Sequence, residues 1–343
     1  MSPSTEIPQG FVNALWAHLD AAIQPWVEKR LRSFAKRHGV LKWIISTDFC
    51  IRDQHRPNDS FAFVILPADE KFEETQDLLR GLPSRDLKDV KRIPAEIKDA
   101  LRRGRAFTFC FVADRDRRLY VDVEAARRSL DDTIAMAEHW ANAGRCGETI
   151  AKLRAMRAEA SKANLNLRLL EDLTVTAALA AHIVTLICRL GPVERVGWVA
   201  DRDRITECYS GIAATLFAIN VAGCCHNLGL PEPKLGIFTQ TSEDLWCDPF
   251  IRLADYVAGV AAWDPPVTNR VQPKIAELVR DVFADNRHLF LFHLAFYVPD
   301  GRPVIEVRRV AISTKPLPRK QRKSSNASSL RGRSRDLKTR NAN

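Results

Sequence analysis

The sequence predicts an α/β protein: a mixed sheet of about five strands with a helical insertion, an N-terminal helix and a C-terminal hairpin. Three observations lead there. β-Branched and aromatic runs crowd residues 42–113, helical apolar patterns fill 122–190, and strands then alternate with helices from 195 to 263. Composition permits such a core, since the 343 residues are 46% apolar and 27% charged.

Phe11, Leu15, Leu19, Ile23, Val27, Leu31 and Phe34 recur at spacings of three and four, which predicts one apolar helix face over 10–38 with basic residues at its end. Lys42–Ile51 and Ser60–Leu66 read as strands separated by a turn-rich loop, and charged helical sequence fills 69–80. Ala106–Ala113 is a third buried strand ending at Asp114. Residues 122–190 read as three helices broken near Gly144 and Asn164–Asn166, the last, Arg168–Arg189, apolar enough for the deep core.

Arg195–Ala200 is the fourth strand, ending at Asp201. An apolar helix over Cys208–Gly223, a fifth strand at Lys234–Thr239 and a helix over Pro249–Trp263 follow. Strands that alternate with helices imply parallel crossovers. A hairpin joins Leu289–Val298 to Val304–Ile312 across Pro299–Arg302. The expected organisation is a helix at 1–40, an α/β domain at 41–285 with its insertion at 122–190, a hairpin extension at 286–313 and a basic tail at 314–343. Three hairpin-linked strands followed by βαβα match an RNase H-like core.

In that topology the first and fourth strands are neighbours and the last core helix crosses their ends. Asp48, Asp201 and Asp255 would then converge from distant parts of the chain. Phosphodiester cleavage by two hard cations needs such carboxylates, and Mg²⁺ or Mn²⁺ binds them without His or Cys. Each residue also has a structural explanation. Asp after a strand commonly starts a turn, and Asp255 can pair with Arg252. Asp48 lies inside a strand, where a charge is costly unless paired or metal-bound.

Pro249–Gly259 resembles the C-terminal signature, approximately LQLADxxAG, of the proteins grouped as domain of unknown function 3800. The resemblance covers roughly 42–263 and implies an RNase H-like fold. It further implies a site containing an Asp on the first strand (Asp48), a Glu-x-Lys before the third (Glu96-Ile97-Lys98) and an Asp-Arg after the fourth (Asp201-Arg202). Glu171, on the long helix before the fourth strand, is the substitute for Glu96. The sequence departs from the pattern in three places: Phe49, Cys50 and Ile51 replace Glu-Ser-Gly after Asp48, Arg252 stands at the usual Gln, and residues 122–165 are longer than the pattern implies. The function expected is a metal-dependent nuclease. The alternative is a catalytically inactive RNase H-like nucleic-acid-binding or interaction module, which the altered Asp48 motif favours.

Cys224, Cys225, His226 and Cys247 lack the paired CxxC spacing of a zinc site and read better as core residues, as does His182. No Walker loop or GxGxxG is present. The hexapeptide Val-Ala-Asp-Arg-Asp-Arg occurs twice, at 112–117 and 199–204, as two strand ends.

Charge is localised. Of the +10 excess, ten basic residues between Lys315 and Arg340 face only Asp336, which leaves 42 basic and 41 acidic residues in 1–313. The tail is expected to be disordered and to contact nucleic acid through counterion release. Eight scattered cysteines and a polar N-terminus predict a reduced, cytoplasmic protein. The longest apolar run, Ala177–Cys188, is interrupted by His182, and no membrane span is expected.

Overall fold

A computed structural model describes residues 11–69, 72–80, 87–141, 147–162, 165–239, 246–263, 272–297 and 304–313. The basic tail lies outside them.

The sheet is built from β1 (Lys42–Cys50), β2 (Asn58–Pro67), β3 (Phe107–Asp114), β4 (Arg195–Ala200), β5 (Lys234–Thr239), β6 (Leu289–Tyr297) and β7 (Val304–Val310). It is a single seven-stranded mixed sheet in the order β5-β4-β1-β2-β3-β6-β7. β2 runs antiparallel to both of its neighbours, β1 and β3, while β4 lies parallel to β1 and β5 parallel to β4. All five sequence-predicted core strands are present, and β1 neighbours β4 as expected.

The hairpin departs from expectation. It is no extension, because β6 pairs in parallel with β3 and carries β7 into the same sheet. Aromatic pairing gives the physical reason. Phe109 and Phe111 of β3 stand in register with Phe290 and Phe292 of β6, and the Phe111 and Phe292 rings stack at 5.6 Å.

Helices cover both faces. Odd-numbered residues of β1–β3, such as Ile45, Phe63 and Phe109, meet α1 (Phe11–His38), α6 (Leu167–Cys188) and α7 (Arg204–Asn227) in one core. Even-numbered residues, such as Ile44, Val64 and Cys110, meet α3 (Ala95–Arg102) and α8 (Asp248–Ala261) in the other. The remaining helices are α2 (Phe72–Arg80), α4 (Val123–Ala141), α5 (Gly147–Glu159) and α9 (Pro273–Leu278), the last running into a π-helical turn at Val279–Phe283. The predicted apolar stripe of α1 is buried from Leu15 to Phe34.

By length and composition α6 and α7 could each cross a membrane, which the shorter run Ala177–Cys188 did not suggest. The apolar stretch of α6 is wholly buried in this core. His182 sits there with Nε2 2.8 Å from Asp20 Oδ1, and burial holds its ring down at about 4. The predicted helix at Cys208–Gly223 is interrupted at its start: Tyr209, Ser210 and Gly211 all take left-handed backbone with φ of 48°, 58° and 73°. Two non-glycine residues there cost roughly 1–2 kcal/mol each.

Candidate functional site

Register places Asp48 beside Asp201. In the parallel β1–β4 ladder Thr47 pairs with Ala200, so the next residue on each strand stands side by side at the same sheet edge. Alternation then fixes the face. Ile44 and Val199 point into the core that contains α8, and so Asp48 and Asp201 project from that same face. α8 lies across it, carrying Asp255.

The carboxylates act on one another. Burial first, then Asp255, and behind it Asp201 and Asp203, push the Asp48 carboxyl well above the usual carboxylate range. A hydrogen bond from the Phe49 amide pulls the other way. Asp48 keeps part of its surface accessible, although its neighbour Ser46 on the same face is fully buried with an unpartnered hydroxyl.

The spacing within the α8 motif has a local explanation. Asp255 and Gly259 lie four residues apart on one helix face, and both meet Leu87. Asp255 Oδ2 accepts the Leu87 amide at 2.8 Å. A Cβ on Gly259 would come within 2.6 Å of Leu87 Cδ2, so any larger residue there would require the Leu87 side chain to shift. Nearby, the Ala258 carbonyl accepts Ser60 Oγ at 2.7 Å and the Gly259 carbonyl accepts Arg56 Nη1 at 3.2 Å, which ties the β1–β2 connection to the same helix. Arg252 forms a salt bridge to Asp248, one turn earlier, at 2.6 Å.

Asp203 is the site residue that sequence reasoning missed. It is the N-cap of α7, accepting the Ile205 and Thr206 amides at 2.8 Å each, and Thr206 completes a capping box. The signal was legible as Asp203-x-x-Thr206, but it marks a helix start and says nothing of Asp48.

Two predicted members stand elsewhere. Glu96 is exposed in the first turn of α3 and is not among the charges acting on Asp48. Its motif partner Lys98 reaches Glu277 and Asp281, docking α3 on the π-helical turn. Glu171 is buried on the opposite face of the sheet, where Oε1 accepts the Leu119 and Tyr120 amides at 3.0 and 3.1 Å. The cysteines do not gather either: Cys225 belongs to one core and Cys247 to the other.

Among the described residues no three His, Cys, Asp or Glu side chains are placed to hold a metal ion as they stand. The donor chemistry of Asp48, Asp201 and Asp255 still fits a hard divalent cation, because all are oxygen ligands and their mutual repulsion is what such an ion relieves. No protein-family model matches this chain, and no curated protein or solved structure matches it either.

Proposed function

We infer that this protein is a metal-dependent nuclease built on an RNase H-like sheet, with Asp48, Asp201 and Asp255 as its site. The observation that carries this reading is the β1–β4 register, which sets Asp48 and Asp201 side by side under the helix bearing Asp255. Strand order supports it as well: three antiparallel strands, then two parallel ones added on the β1 side, is the arrangement expected of that fold.

Mg²⁺ or Mn²⁺ bound by these three carboxylates would activate water and stabilise the leaving oxygen of a phosphodiester. The protein's own contribution is a set of acids brought together at cost. Burial first, and then the charge of Asp255, leave Asp48 inclined to hold a proton, which it would release on metal binding. Asp255 is oriented by the Leu87 amide, and Asp201 accepts its neighbouring Arg202 amide at 2.6 Å. Residues Lys315 to Arg340 would hold nucleic acid nearby through phosphate contacts.

A second reading, an inactive RNase H-like nucleic-acid-binding module, is favoured by one observation. Asp255 and Asp203 already accept backbone amides, which leaves them less available as ligands. Incubation of the full chain with a mixed panel of DNA and RNA, with Mn²⁺ or chelator, separates the two. The nuclease reading predicts metal-dependent cleavage that Asp201→Asn abolishes. Binding to the panel without cleavage would establish the inactive module.

A further inference from the structure

A second charged surface lies on the other side of the sheet, at its opposite edge. Trp26, Arg30 and Arg37 fall along one stripe of α1, because steps of four and seven residues return a helix to nearly the same direction. The stripe runs roughly 16 Å, from eleven residues at 1.5 Å rise. It faces β6 and β7. Arg309 of β7 places its guanidinium 4.5 Å from the Trp26 ring, and Arg30 lies 5.4 Å from the ring of Phe290 on β6. Arg37 sits against Gly104, where an added Cβ would come within 2.8 Å of its Nη1 and 3.2 Å of His288.

Among the described residues none of Arg30, Arg37, Arg287 and Arg309 forms an ion pair with a carboxylate, and Arg30 and Arg309 both lie over the one ring of Phe290. The effect reaches the neighbours. Burial and then Arg37, with Arg30 and Arg287 further down, hold His288 below its ordinary range. Burial and then Arg30 lower Arg309. Unpaired arginines crowded together are an energetic cost that a bound polyanion removes. Trp26 adds a further element, since it is 52% exposed beside that charge.

We propose that Trp26, Arg30 and Arg37 of α1, with Arg287 and Arg309 beside them, bind single-stranded nucleic acid on a face of the fold remote from the carboxylates. The guanidiniums take phosphates in planar, bidentate contacts, and the indole gives an unpaired base a stacking surface. A duplex offers no free base to Trp26, and an acidic protein or anionic membrane would use the arginines without needing the tryptophan. The inference does not rest on the nuclease reading, because the surface and Asp48 lie on opposite faces of the sheet and can be altered separately.

The test measures fluorescence anisotropy of a labelled oligothymidylate about 20 nucleotides long, with the full chain and its tail present throughout. The variant Arg30→Gln/Arg37→Gln/Arg287→Gln alters three exposed side chains, and a thermal melt checks its fold. Removing equal charge elsewhere, as Arg80→Gln/Arg154→Gln/Arg195→Gln, is the control. The first variant is expected to bind about tenfold or more weakly, with a salt slope flatter by about 2 from three lost contacts at ~0.7 each. The control should stay close to wild type, and Trp26→Ala should weaken binding with the slope intact. Equal losses in both triple variants, or no loss in the first, would overturn the proposal. So would binding to phosphatidylserine vesicles that depends on these arginines while oligothymidylate binding does not.

Discussion

The same six residues end two strands of this protein and meet two different fates. Val112–Arg117 closes β3 and Val199–Arg204 closes β4, both at the same sheet edge with the first Asp on the same face. After β3 the chain turns, and Arg117 folds inward to bridge Asp59 and Asp172, all three buried. After β4 the chain enters a helix instead, with Asp203 as its cap and Arg204 exposed. The residue that follows decides. Thr206 supplies the returning hydroxyl of a capping box, and the equivalent position after β3 is Leu119, which cannot.

The leading acids diverge as well. Asp114 is exposed, and a hydrogen bond from His293 holds its carboxyl below the usual range. Asp201 instead adds to the negative charge pressing on Asp48. Around one copy acid meets base, as in Asp114 with His293 and Arg117 with Asp59 and Asp172, while around the other Asp201 and Asp203 add negative charge beside Asp48. The matched kind secures a fold, and the mismatched kind is what a bound cation would explain.

The largest expected difference tests the matched copy. Arg117→Ala leaves Asp59 and Asp172 buried with less compensation and should cost ~3–5 kcal/mol in urea unfolding. Arg204→Ala, the same change in the other copy, should stay within about 0.5 kcal/mol. Equal costs would erase the distinction. Capping reverses the order at a smaller scale: Asp203→Ala should lose about 1 kcal/mol of stability, whereas Asp116→Ala, exposed and capping no helix, should lose almost none.

These contrasts show what the sequence could and could not reveal. Strand identities were legible because Phe107–Phe111 and Phe61–Phe63 have no stable place except a buried sheet. The Asp48–Asp201 adjacency followed from strand order alone. The inclusion of β6 and β7 in the sheet was not legible, since a hairpin reads the same whether it stands apart or pairs with β3. Glu96 matched a motif by spacing, but three-residue spacing does not say which way the helix faces. The break at Tyr209–Gly211 was hidden because the apolar pattern of Cys208–Gly223 continues through it. The Arg117 network joins residues more than fifty positions apart, and nothing local marks it.

A smaller effect concerns the pH dependence of Asp48. Its folded carboxyl titrates above its unfolded value of ~3.9, so between those two points the unfolded chain has released a proton that the folded chain retains. Wild type therefore loses stability as pH rises through that window, and the contribution stays lost above it. Asp48→Asn should escape the loss. It should gain slightly on wild type from pH 4 to pH 8, where an average substitution costs about 1 kcal/mol. Asp114→Asn should show the opposite trend, because the folded carboxyl of Asp114 is lowered.

The two copies are compared most directly by titrating Mn²⁺ into the protein at pH 7 in a calorimeter, using wild type, Asp201→Asn and Asp114→Asn. The same substitution is made at the same place in the same hexapeptide, so differences in charge and side-chain size cancel. Wild type and Asp114→Asn are expected to bind Mn²⁺ alike, with proton release. Asp201→Asn should bind about tenfold or more weakly, a loss of about 1.4 kcal/mol. Equal binding by all three proteins, or no Mn²⁺ binding by wild type, would contradict these expectations.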